Sequence, residues 1–310
     1  MKRKLLPSLV LAALASAALV TAVPAATTVF ATGMFTPETI TQTASGDLFV
    51  TDAGPATNPP TAPFGPIWKV PATGGSAQLL VDAGFSLRGG LILPSTFGSV
   101  GSQFLVVGIG AAATMNTTTS VVTPYHSGGN WTQPVLAPSF GSLSGDVLVT
   151  NQAGSVDFFT PSGGVGTLVS FPSPVSPFGA ALANSSFGEV GGPSLFVSDG
   201  GGGGIYSVDP AGNINLFTTI PLGTKQTGLR QIAFAPRGWG KYGGNLFVCL
   251  NTRDIDIINR DGVIIGKITG AFNPRGMLFT TIAGNPTLLF SNTLAGNILK
   301  AGPGDVVPTG

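Results

Sequence analysis

The sequence predicts an all-β, six-bladed β-propeller with four-stranded antiparallel blades, and three observations carry that expectation. A short phrase recurs along the chain: a Gly-rich turn, a β-branched or aromatic strand, then Asp or Asn. Its copies follow one another at 42 to 56 residues, close to the period of about 40–50 residues at which propeller blades repeat. The composition agrees. Glycine supplies 46 and proline 25 of 310 residues while the hydrophobic share is still 43%, which describes short apolar strands between many tight turns rather than a disordered chain.

The N-terminus reads as a leader. Met1-Lys2-Arg3-Lys4 is basic, the run from Leu5 to Val23 carries no charge, and Val23-Pro24-Ala25 offers small residues for cleavage after Ala25. The expected division is therefore a cleaved signal peptide over 1–25 and a single propeller domain over 26–310. An exported protein, extracellular or periplasmic, is expected, and no second apolar stretch reaches a membrane-spanning length. Loss of Lys2, Arg3 and Lys4 with the leader leaves 11 basic against 13 acidic residues. That balance gives no reason to expect nucleic acid or an anionic membrane as partner. Cys249 is the sole cysteine, so no internal disulfide holds the fold, and its apolar neighbours predict a buried small hydrophobe.

The recurring phrase reads Gly46-Asp47-Leu48-Phe49-Val50-Thr51-Asp52, then Gly145-Asp146-Val147-Leu148-Val149-Thr150-Asn151, then Ser194-Leu195-Phe196-Val197-Ser198-Asp199. Further copies are Gly244-Asn245-Leu246-Phe247-Val248 and Thr287-Leu288-Leu289-Phe290-Ser291-Asn292, with a weaker one at Ser102–Val107. Units are clear at 46–82, 141–171, 178–220 and 228–270, and irregular near 86–136. In the best-preserved unit, strands are expected at Leu229–Ala235, Asn245–Leu250, Asp254–Asn259 and Val263–Ile268. Arg260-Asp261-Gly262 is its hairpin turn, since Asp-Gly between alternating apolar residues is a strong hairpin signal. The last unit is short of a fourth strand. Either Thr27–Ala31 returns to close the ring or Asp305–Val307 supplies the strand, because an unclosed ring would expose a sheet edge.

The pieces Asn273-Pro274-Arg275-Gly276-Met277, Leu195–Asp199 and Gly204-Ile205-Tyr206-Ser207-Val208-Asp209-Pro210-Ala211-Gly212 resemble the NHL-type repeats of six-bladed propellers. They are similar also to the gluconolactonase and senescence-marker group. The resemblance spans nearly the whole mature chain, but it lies in strand and turn residues, so it speaks for architecture more than activity. It implies a central channel, with calcium as the metal to consider. In such lactonases the ligands gather near the start of the innermost strands. The matching phrases here are Leu87-Arg88-Gly89-Gly90, Ser176-Pro177-Phe178-Gly179, Leu229-Arg230-Gln231 and Pro274-Arg275-Gly276. Three of the four carry Arg where a metal site would need Asn, Asp or Glu.

Arg88, Arg230 and Arg275 are therefore the candidate ligand-binding residues, a basic rim that could grip a carboxylate or phosphate. The plainer alternative pairs each Arg with an acid such as Asp52 or Asp199, bracing adjacent blades. Asp52, Asn151, Asp199 and Asn292 are expected to cap turns through their own backbone. His126 is the sole histidine, expected on a surface loop. One histidine makes no multi-histidine metal site, and it argues against the quinone-dependent dehydrogenases and streptogramin lyases, propellers that depend on catalytic histidine. The five glycines Gly200–Gly204 lack a following Gly-Lys-Ser/Thr and read as a turn, not a phosphate loop. Trp68, Trp131 and Trp239, with Tyr125 and Tyr242, are expected in packing ahead of an exposed carbohydrate platform. Asn116-Thr117-Thr118, Asn130-Trp131-Thr132 and Asn184-Ser185-Ser186 match the glycosylation triplet.

The expected function is a non-catalytic, monomeric binding module for a small anion, a carbohydrate or a protein, without catalytic residues, metal or cofactor. The alternative is a calcium-dependent hydrolase of the lactonase or esterase kind working in the channel. Glu38 and Glu189 are among the few glutamates available, and neither is placed at a channel position by the pattern.

Overall fold

The computed structural model describes residues 27–55, 63–183, 187–188, 192–224 and 227–309. Residues 1–25, expected to be a leader, the centre of the Pro-rich insert, the triplet Asn184-Ser185-Ser186 and Glu189 all lie outside these residues. No α-helix occurs among the described residues, only short 3-10 turns, as the absence of an apolar 3.6-residue period predicts.

After β1 (Thr28–Thr32), the chain builds its first blade from β2 (Pro37–Gln42), β3 (Leu48–Asp52), β4 (Pro66–Val70) and β6 (Gln78–Asp82), with the two-residue β5 (Gly75–Ser76) between. Next come β7 (Leu87–Ile92), β8 (Phe104–Met115), β9 (Val122–Leu136), β10 (Val147–Asn151), β11 (Ser155–Phe159) and β12 (Val165–Ser170), which form one six-stranded sheet. A four-stranded blade follows: β13 (Pro177–Ala183), β14 (Ser194–Asp199), β15 (Gly204–Val208) and β16 (Ile214–Thr219). Then come β17 (Leu229–Phe234), β18 (Leu246–Leu250), β19 (Arg253–Ile258) and β20 (Ile264–Phe272). The last blade is β21 (Met277–Ile282), β22 (Asn285–Asn292) and β23 (Asn297–Ala301), and β24 (Val307–Pro308) ends the chain.

The structure has five blades of four to six strands, which corrects the expectation of six four-stranded ones. The units expected at 86–136 and 141–171 run together because β9 is a single 15-residue strand. Its first half pairs with β8 and its second half, from Trp131 to Leu136, pairs with β10. Gly128, at φ +96 in the left-handed region, lets the strand turn between the two partners without breaking.

Ring closure follows the N-terminal route: Thr28 pairs with Lys300 and Val29 with Leu299 in antiparallel register. The competing C-terminal segment instead extends the preceding blade, where Val307 pairs with Lys267 and Pro308 with Gly266. Around the axis, β2, β7, the second half of β9, β13, β17 and β21 pack in turn and return to β2. Apolar clusters fill the wedges between blades; one joins Phe247, Cys249, Ile257, Leu288 and Phe290. Cys249 is fully buried, and burial pushes its thiol far up, as expected of a packing residue.

Hairpin turns follow the sequence. Asn259 Oδ1 accepts the Asp261 and Val263 amides, and Gly262 takes φ +78. On the adjoining strand, burial and then the negative charge of Asp254 push the Asp256 carboxyl up to about 6, against the pull of Lys267. The folded form thus holds this proton more tightly than the unfolded chain does. The stabilising contribution is full below about pH 4 and is lost as pH rises through 6. The melting temperature of Asp256→Asn should therefore fall less between pH 4 and 6.5 than that of the wild type, and superimposable profiles would contradict this assignment.

Candidate functional site at the channel mouth

At one face of the ring, three innermost strands begin opposite the end of the second strand of their own blade. Pro37 pairs with Asp52, Pro177 with Asp199 and Leu229 with Leu250. Just inside that pair the register slips between Pro37 and Ile40, Leu87 and Gly89, Pro177 and Ala180, and Leu229 and Ile232. A bulge re-aims the side chain it carries. The residues carried are Glu38, Arg88, Phe178 and Arg230.

Two sequence features make room for this arrangement. The hydroxyl preceding each recurring Asp or Asn is buried and accepts an amide at the start of its own blade, and two of the four also reach the first strand of the next blade. Ser198 Oγ accepts the Gly179 amide at 2.8 Å and donates to the Arg230 carbonyl at 2.6 Å, and Thr150 Oγ1 donates to the Phe178 carbonyl at 2.6 Å. Glycine follows where strands approach closest. A Cβ on Gly276 would fall far inside 3.0 Å of the Glu38 carbonyl oxygen, and one on Gly89 equally inside that of Thr132.

The recurring Asp and Asn hold turns, as expected. Asp52 accepts the amides of Phe35, Thr36 and Gly54, each at 2.8 Å, and Trp68 Nε1 at 2.9 Å. Asp199 accepts the Ser176 and Gly201 amides, and Asn292 accepts that of Phe272. Burial raises the Asp52 pKa, opposed by those hydrogen bonds.

The three arginines come together, and Glu38 binds two of them. Its carboxylate is 1% exposed, and Oε1 accepts Arg88 Nη1 at 2.7 Å and also Arg275 Nη1. Arg230 stands over the Phe178 ring at 4.6 Å, with Nε on Asn251 Oδ1 at 3.0 Å and Nη1 on the Gly200 carbonyl at 3.3 Å. Burial, then the charge of Arg275, pulls the Arg230 pKa down to about 10; Glu38 opposes the shift and Arg88 adds to it. The pairing with Asp52 or Asp199 is thus corrected: both carboxylates are taken by backbone amides. Glu38 Oε2, Arg88 Nε and Arg275 Nε are buried without a hydrogen-bond partner. Three cations and one anion leave the cluster two positive charges in excess.

Sequence reasoning missed Glu38, though a signal existed. Thr36-Pro37-Glu38-Thr39 occupies the place of Asn273-Pro274-Arg275-Gly276 and Ser176-Pro177-Phe178-Gly179. Only the Pro is shared, so an acid among arginines did not register.

Other expectations resolve simply. His126 is corrected from a surface loop to a strand position in β9, paired with Ala112 and stacked on Phe159 at 4.9 Å. Burial lowers its pKa. Trp68, Trp131, Trp239 and Tyr242 are buried, Trp131 with Nε1 on Asp157 at 2.8 Å, so these four form no exposed platform. Gly200–Gly203 turns between β14 and β15.

The sequence matches no protein-family profile and no curated protein. The fold does match solved propellers. Regucalcin from Agrobacterium tumefaciens, described as a calcium-binding protein, is 14% identical with a TM-score of 0.63, covering 89% of this chain and 95% of its own. A gluconolactonase from Xanthomonas campestris is 13% identical with a TM-score of 0.63, covering 91% and 89%. Virginiamycin B lyase from Staphylococcus aureus is 16% identical with a TM-score of 0.55, covering 85% and 79%. These likenesses place the chain in the propeller fold that regucalcin, gluconolactonase and the lyase share.

Calcium takes six to eight oxygens, mostly from carboxylates and carbonyls. The mouth presents one carboxylate already neutralised by two guanidinium groups, and a third Arg beside it. Among the described residues no group of three His, Cys, Asp or Glu could hold a metal. This donor set does not fit calcium; it fits an anion.

Proposed function

We propose that this propeller is a hydrolase of the lactonase or esterase kind, acting at the channel mouth on a small substrate that carries a carboxylate or phosphate. The observation that carries the reading is the excess of two positive charges in the cluster of half-buried Arg88, Arg230 and Arg275 around the buried Glu38. A buried charge is costly until it is paired, so an anionic group completes the site. Enzymes among the similar structures support catalysis over a purely binding module.

In hydrolysis, a new C–O bond forms between water and the acyl carbon while the attacking water gives its proton to bulk solvent. The guanidinium groups stabilise the oxyanion. The scissile C–O bond then breaks, and the leaving alkoxide takes a proton from bulk solvent. Export behind the Met1–Ala25 leader is part of the proposal.

The test compares p-nitrophenyl hemisuccinate with p-nitrophenyl acetate. A charge-assisted hydrogen bond contributes roughly 1.5–3 kcal/mol, so kcat/KM should favour the carboxylate ester by about tenfold or more. EDTA should leave the rate unchanged. Equal rates, or none above buffer for either ester, would overturn the reading.

A further inference from the structure

Phe272 and Leu294 lie on the same face as the cluster, with Phe35, and all three are exposed: 52%, 74% and 40%. The segments that carry them are joined by hydrogen bonds. The Met34 amide donates to the Gly296 carbonyl, and the Phe272 amide donates to Asn292 Oδ1. Thr293 Oγ1 donates to the Pro37 carbonyl. The turn carrying Leu294 is thus clamped between the segment that ends at Phe272 and the one that holds Phe35. Both segments lead straight into the cluster, since Phe35 stands three residues before Glu38 and Phe272 three before Arg275. The ion pair between Glu38 and Arg275 crosses the same seam.

We propose that the occupant of this mouth is an amphipathic acid, with its anionic head on Arg88, Arg230 and Arg275 and its apolar body on Phe35, Phe272 and Leu294. The inference rests on the hydrolase reading for the head group and goes beyond it in naming the body. Exposed aromatic and aliphatic side chains beside a cationic centre suit such a molecule, because burial of the body adds to the charge pairing of the head. A polyhydroxylated acid would leave these side chains wet.

Calorimetric titration with acetate, butanoate, hexanoate and octanoate tests this. Affinity should rise about threefold per added methylene. Phe272→Ser combined with Leu294→Ser, the two most exposed of the three, should flatten that series while leaving acetate binding and the melting temperature near wild type. If all four acids bind equally, the amphipathic inference falls and the anion site stands. If no acid binds, the anion site falls as well. An unchanged series in the double variant would place the body elsewhere and overturn the proposal. So would binding to phosphatidylcholine vesicles with no binding of free acids, which would indicate a lipid surface.

Discussion

Glu38→Ala should destabilise the propeller by about 3–5 kcal/mol, the cost of removing one partner from a buried ion pair. For a domain of this size that corresponds to roughly 10 °C in melting temperature. The side chain is nearly inaccessible and its Oε1 serves both Arg88 and Arg275. Its loss leaves three half-buried guanidinium groups at the mouth without their shared carboxylate, and Arg230 already carries a lowered pKa there. Glu38→Gln should cost nearly as much, because shape survives and charge does not. Added sulfate or phosphate should restore part of the loss in both variants by supplying the missing anion. Denaturant unfolding measures all of this, and variants within about 0.5 kcal/mol of wild type, an ordinary surface effect, would remove Glu38 from the centre of the account.

Gly276→Ala should be at least as damaging, at about 4 kcal/mol or more. No positive φ is involved; the reason is space. The added methyl would overlap the Glu38 carbonyl oxygen, which belongs to the bulged backbone of β2. Neither strand can give way freely. Gly276 donates its amide to Ser291 Oγ at 2.8 Å, and Thr39 beyond Glu38 is bonded to Thr51 and to the Arg88 carbonyl. The substitution should therefore disturb the Glu38–Arg275 seam as well as stability. Gly284→Ala is the control for lost glycine flexibility. Nothing lies within 4 Å of its added Cβ, but its φ of +81 still strains an Ala, so it should cost about 1 kcal/mol. Equal losses at the two positions would contradict the steric account.

Much of the fold was legible because the residues that build blades repeat. The Asp-Gly hairpin at Asp261-Gly262 and the strand phrase ending in Asp52 or Asn292 rest on local chemistry, turn residues and alternation, whereas the choice between Thr27–Ala31 and Asp305–Val307 as the closing strand stayed open. The merged sheet was not legible. Whether β9 breaks or bends depends on how Gly128 is used, and a glycine permits either. His126 read as a loop residue because Ser127, Gly128 and Gly129 follow it, yet cross-strand pairing with Ala112 made it part of β9. Of the site, the arginines stood out as departures from a familiar pattern. Their common partner did not, since contact between Glu38 and Arg275 spans most of the chain and exists only once the ring closes.

The central claim is that the channel mouth is an anion site organised by Glu38. Crystals soaked in 4-bromobenzoate test it most directly, because bromine marks the body and the carboxylate marks the head. An anomalous bromine peak is expected beside Phe35, Phe272 and Leu294, with the carboxylate within hydrogen-bond reach of Arg88 or Arg275. A map with no ligand at the mouth, and with all three arginines satisfied by protein groups alone, would contradict it.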